Sequence, residues 1–160
     1  MPMGQGRPMT EVEAELRFNQ PALGGCREQK IHRMLRDPDG RVMFLPTWWG
    51  HLMVFAAQVL GRHHGVVKQI NWDPVIEGQT QEFERFYGQG CFTRHEAFLP
   101  GDCIHVRAVL PATLSVEDFS ELLQVAGQYR GISPYRKDKR YRFGTFEVLS
   151  VQRRVRRGKK

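Results

Sequence analysis

From Thr10 to Phe18 the side chains alternate strictly. Val12, Ala14, Leu16 and Phe18 fall on one side and Glu11, Glu13, Glu15 and Arg17 on the other. A period of two sends successive side chains to opposite faces of an extended chain, so this segment is predicted to be a half-buried strand. One face of its sheet must be covered and the other left free, and that requirement frames the rest of the fold.

Two helices can supply the cover. After Pro46 and Thr47, with Thr47 as the expected N-cap, Leu52, Phe55, Ala56, Val59 and Leu60 recur at helical spacing until Gly61. A second helix begins at Ser115, which is a good N-cap with Glu117 and Asp118 at the positive end of the helix. Val116, Phe119, Leu122, Leu123, Ala126 and Tyr129 form its apolar face, and Gly131 ends it. Residues 92–110 carry strand material on both sides of Pro100-Gly101-Asp102, and residues 143–151 alternate as a last strand. Residues 66–76 read as a strand or an irregular edge, and residues 77–90, with Gly78, Gly88 and Gly90, as a hairpin or a long mobile loop. Residues 26–41 are polar and mixed and close in the turn Asp37-Pro38-Asp39-Gly40. The order strand, helix, strand, strand, helix, strand is that of an α+β, ferredoxin-like βαββαβ fold, an antiparallel sheet with two helices on one face. Residues 1–9 are expected to be a disordered segment, 10–151 a single domain and 152–160 a basic tail.

Charge is unevenly placed. The last twenty-five residues hold eleven lysines and arginines against Asp138 and Glu147, a formal +9, while the whole chain carries +7. The first 135 residues therefore sum to −2. A pI near 9.7 arising from one end of the chain points to an acidic partner, nucleic acid or an anionic surface. Between Gly131 and Gly144, six of the seven residues from Arg136 to Arg142 are basic or aromatic. Such a connection can wrap phosphates through main-chain N–H groups and guanidinium forks. The plainer alternative is a solvated loop and tail after an ordinary core strand. No apolar run is long enough to span a bilayer, the amino-terminal residues lack a signal-peptide core, and Cys26, Cys91 and Cys103 are too few and too scattered for a disulfide framework. A reducing, cytoplasmic setting and no membrane partner are expected.

The run Phe44-Leu45-Pro46-Thr47-Trp48-Trp49-Gly50 leading into a helix resembles the strand–Pro–small residue–helix junction of RAMP-type proteins, the ferredoxin-like RNA-binding subunits of CRISPR effector complexes. The glycine-bearing segment ending in Phe143-Gly144-Thr145-Phe146-Glu147-Val148 is similar to their glycine-rich loop and final strand. Small stand-alone proteins of this type also occur among phage genes. Here Trp48-Trp49-Gly50-His51 stands where the family usually has a small residue, glycine and a basic residue, and the loop has lysines and arginines in place of glycines. The resemblance implies binding to RNA or single-stranded DNA through loop and sheet surfaces, with copies packed side by side along the strand as a homo-oligomer or within a larger complex.

The candidate phosphate contacts are Arg136, Lys137, Lys139, Arg140 and Arg142, extended by Arg153, Arg154, Arg156 and Arg157. Tyr135, Tyr141 and one of the adjacent Trp48 and Trp49 are candidates for stacking on bases. The chain is read as a non-catalytic nucleic-acid-binding protein without catalytic residues, cofactor or metal. Two alternatives stand beside that reading. One is a metal-independent endoribonuclease using His63 or His64, since imidazole titrates near neutrality. The other is a structural assembly protein. Cys91, His95, Cys103 and His105 share a neighbourhood but lack the close pairs typical of structural zinc. Asp37, Asp39, Asp73 and Asp102 all sit beside Pro or Gly, where aspartate usually serves a turn.

Overall fold

The computed structural model describes residues 9–28, 30–88, 90–132 and 143–154. The alternating segment forms β1 (Thr10–Phe18), and Val12, Ala14, Leu16 and Phe18 are each no more than 1% exposed. The chain then makes three short strands, β2 (Ala22–Leu23), β3 (Cys26–Glu28) and β4 (Ile31–Arg33), before helix α1 (Pro46–Leu60). A 3-10 turn (Val66–Gln69) precedes β5 (Asn71–Trp72). A hairpin of β6 (Gln81–Gly88) and β7 (Cys91–Phe98) leads to β8 (Cys103–Leu110), helix α2 (Val116–Tyr129) and β9 (Phe146–Arg153).

The main sheet is antiparallel with the order β5-β8-β1-β9. Taken with α1 between β1 and β5 and α2 between β8 and β9, this is the ferredoxin-like arrangement expected from the order of elements. The helices share one core with the sheet: Trp49, Leu52, Met53 and Ala56 of α1 and Phe119, Leu122, Leu123 and Ala126 of α2 pack with the inward row of β1. Gly127 lets α2 lie close on β9, because a Cβ there would come within 2.4 Å of the Phe146 ring.

Local chemistry sets the helix ends. Ser115 accepts a hydrogen bond from the Asp118 N–H at 3.0 Å, as its spacing predicts. At α1 the helix begins one residue before the expected cap. Pro46 takes the first turn, where its missing N–H costs nothing, and Leu45 rather than Thr47 is the N-cap. Tyr129, expected on the buried face of α2, is 57% exposed, because the packed face ends at Ala126 and Gly127.

Two insertions enlarge the simple topology. Residues 22–44 and 77–98 build a second sheet in which β7 carries β6 on one edge and β2 and β4 on the other, with β3 beyond β4. Glu96, 6% exposed, ties the two insertions together: it accepts from Met34 N–H at 2.8 Å and Thr80 Oγ1 at 2.6 Å and pairs with Arg36. No described helix is long and apolar enough to cross a membrane.

Where the basic segment leaves the fold, two glycines cross. Gly131 and Gly144 both have positive φ, +80° and +83°. A Cβ on Gly144 would lie 2.4 Å from the Ile132 carbonyl oxygen, and one on Gly131 would lie 2.6 Å from Gly144 backbone. Ile132 N–H donates to Gly144 O at 3.0 Å, and Gly144 N–H donates to Pro21 O at 2.7 Å. Gly144→Ala meets both strain and backbone clash, so it should cost about 3 kcal/mol and lower the melting temperature by roughly 6–12 °C. Gly40 has the same φ, +84°, with nothing within 4 Å, so Gly40→Ala should cost only about 1 kcal/mol. Equal shifts in a pair of thermal melts would contradict the crossing.

Candidate nucleic-acid interface

The candidate interface is built around β9. Residues Tyr135, Arg136, Lys137, Lys139, Arg140, Tyr141, Arg142, Arg156 and Arg157 lie outside the described residues. Their points of attachment are described. Ile132 and Phe143, on either side of the basic segment, are buried at 4% and 0% exposure, and the Gly131–Gly144 crossing joins its two ends. The second basic run departs from the far end of the same strand, after Arg153 and Arg154. Eight residues of strand separate these exits by about 23 Å.

Arg153 and Arg154 do not share a face. Arg153 pairs in register with Val12, whose side chain is in the core, so Arg153 stands at the margin of the helix-covered face. Arg154 follows on the open face, where its Nε is 3.6 Å from Glu13 Oε1. Its N–H donates to Glu11 O at 2.8 Å, which holds it in the ladder.

The open face of the main sheet is an ionic lattice rather than a basic surface. Arg17 pairs with Glu147, Arg107 Nη2 lies 3.0 Å from Glu77 Oε2 and Arg107 Nε 3.6 Å from Glu13 Oε1. His105 Nε2 lies 3.8 Å from Glu15 Oε2. Beside this lattice, where the sheet meets the inserted segments, is a cleft of about 520 Å³ whose lining includes Arg36, Arg41, Asp73, Glu77, His105 and Arg107.

The two adjacent tryptophans divide. Trp49 is 0% exposed and stacks on Trp72 with centroids 4.8 Å apart and planes 11° apart, so its face is already occupied. It is a core residue with no exposed face on which a base could stack. Trp48 is half-buried, 5.8 Å from the Phe44 ring, and lines an apolar cavity of about 160 Å³ with Leu23, Met34 and Ile132. That cavity therefore adjoins the residue from which the basic segment departs.

An aromatic pair went unnoticed in the sequence. Phe86 and Phe92 face each other across the hairpin, 5.5 Å apart, and are 48% and 46% exposed. The available signal was two phenylalanines at similar distances from a Gly-x-Gly turn in a segment otherwise too polar to need them.

Several of the remaining candidates have structural partners. His63 adopts φ +65° and sits 3.4 Å from Asp118, while His64 is exposed. Asp37 accepts from the N–H groups of Asp39 and Arg41, at 3.0 and 2.8 Å, and the Arg41 main-chain bond holds its carboxyl below the usual range. Asp73 accepts from Val75 N–H at 3.0 Å, and Asp102 from Leu99 N–H at 2.8 Å. Of the cysteine–histidine set, Cys91 is exposed at the hairpin turn, whereas His95 is fully buried. His95 Nδ1 is 2.7 Å from Gly24 O, its Nε2 is 2.7 Å from Thr93 Oγ1, and its ring stacks on His32.

Burial pushes the His95 pKa below its ordinary 6.5, with the Gly24 carbonyl opposing and His32 and Arg85 adding to the depression. A histidine that protonates less readily folded than unfolded stabilises the fold above the unfolded value and loses that contribution as pH falls. Unfolding free energy should therefore fall from pH 7 to pH 5, with a smaller slope in His95→Gln. An unchanged slope in a urea titration series would refute the assignment.

No family model matches the chain, and no curated protein matches it in sequence. Among solved structures it is similar to a chain in the cryo-EM structure of the type III-B Cmr-beta bound to cognate target RNA, with a TM-score of 0.57 and 10% identity. The match covers 91% of this chain and 60% of that one, so this chain spans about 60% of its neighbour's length. At that identity the likeness is one of fold.

Proposed function

We propose that this chain is a non-catalytic protein that binds RNA or single-stranded DNA by its phosphate backbone, as one subunit of a multi-copy ribonucleoprotein or filament. The observation that carries this reading is the clasped base of the basic segment: a ten-residue excursion, 133–142, with five cations and one acid, is pinned at both ends to the core. Its fixed ends lower the entropy lost when the segment closes on a ligand. Arg136, Lys137, Lys139, Arg140 and Arg142 take phosphates in this reading, while Arg153, Arg154, Arg156 and Arg157 extend the footprint from the other end of β9. Tyr135, Tyr141 and Trp48 are its stacking side chains.

The fold shared with a chain of an RNA-bound structure supports RNA as the ligand. The exposed Phe86–Phe92 pair on the β6–β7 hairpin supports contact between copies. The same reading treats residues 10–151 as one RAMP-type domain and the basic run beyond it as a tail. In the structure the Arg154 N–H bonds to Glu11 O of β1. A cytoplasmic location accompanies this function.

Charge neutralisation makes the affinity steeply salt-dependent. If the five loop cations each meet a phosphate, they contribute about −3.5 to the slope of log affinity against log salt for a single strand. Fluorescence polarisation with a labelled single-stranded RNA should show that steepness, and changing Arg136, Lys137, Lys139, Arg140 and Arg142 to Ala should flatten the slope by about that amount. A flat wild-type slope, or undiminished binding by the five-Ala variant, would remove the proposal.

A further inference from the structure

We propose that Glu13, Glu77 and His105 form a binding site for one divalent transition-metal cation, of the Zn²⁺ or Mn²⁺ type, on the open face of the main sheet beside the arginine-lined cleft. Their ligand atoms all lie within 4.8 Å of one another. Three separate parts of the chain bring them together, and main-chain hydrogen bonds hold two of them in place. Glu77 and His105 form an isolated antiparallel bridge, with Glu77 N–H donating to His105 O at 3.3 Å and His105 N–H donating to Glu77 O at 3.0 Å. On the other side of β8, Glu15 pairs in register with His105, and Glu13 with Arg107. Glu15, His105 and Glu77 therefore make one row across the sheet, and Glu13 stands beside that row on the same face.

The donor set determines the class of ion. An imidazole with two carboxylates suits a borderline transition cation, whereas Mg²⁺ and Ca²⁺ favour all-oxygen shells. Ligand bonds of about 2.1 Å need donor atoms roughly 3–4 Å apart, a closure within reach of the flexible glutamates. Glu15 Oε2, 3.8 Å from His105 Nε2, can orient the ring or join the shell.

Arg107 is the competitor. Its guanidinium lies against both Glu77 and Glu13, at 3.0 and 3.6 Å, and so neutralises two of the ligands a cation needs. Carboxylates nonetheless outnumber guanidiniums here, Glu13, Glu15 and Glu77 against Arg107 and Arg154. A cation must displace one guanidinium contact, and removing Arg107 should favour it. This competition separates a metal site from a lattice of ion pairs, which Arg107 would only stabilise.

Isothermal titration of the full chain with Mn²⁺, which has little affinity for the free thiols, tests the site, with Zn²⁺ as the second probe and Mg²⁺ as control. The expected result is saturable one-to-one binding of Mn²⁺, weakened about tenfold or more in His105→Gln and in Glu77→Gln and strengthened several-fold in Arg107→Met. Absence of saturable binding, wild-type affinity in both ligand variants, or weaker binding in Arg107→Met would each overturn it. Glu13→Gln replaces any variant that has melted at the assay temperature. None of these readouts involves nucleic acid, so the site stands or falls apart from the proposed function.

Discussion

The crossing of Gly131 and Gly144 is the contact on which the proposed interface depends. Two backbones approach where neither residue can carry a Cβ, and both adopt a φ that other residues reach only with strain. The approach joins the end of α2 to the start of β9 and brings the two ends of a strongly basic excursion together. Gly144 N–H also bonds to Pro21 O, tying the crossing to the segment that follows β1.

Electrostatics divides the molecule in the same sense. The sheet face left open by the helices is lined by Glu11, Glu13 and Glu15, and its arginines are engaged with carboxylates. Exposed pairs of this kind are each worth about 0–1 kcal/mol and add little to stability. Their effect is on the field: among the described residues they cancel charge across the face. Bare, that face has little attraction for a polyanion, and a bound divalent cation would change its sign locally.

Much of the fold was legible because long periodic segments obey one rule at a time. The alternation of β1 was reproduced residue by residue in its burial, and Ser115 capped α2 through the bond its spacing required. The second sheet was not legible, since its strands β2, β3 and β4 are two or three residues long, too short to display a period. The second strand of the main sheet, read as somewhere within residues 66–76, contracted to Asn71–Trp72 between a 3-10 turn and Pro74. For the interface, composition located the charge but could not assign faces. Register alone separated Arg153 from Arg154, and packing against Trp72 decided which tryptophan was buried. The grouping of Glu13, Glu77 and His105 was invisible in sequence because it depends on pairings across ninety residues of chain.

In the proposed function the two basic runs leaving β9 hold one nucleic-acid strand between them. Photo-crosslinking of a 4-thiouridine-substituted single-stranded RNA, with mass-spectrometric mapping of the attached peptides, reads this directly. Adducts are expected on peptides from residues 133–142 and from residues 153–160, formed on the same oligonucleotide. Adducts confined to the helical face, or absent from both basic runs while the RNA is bound, would contradict it.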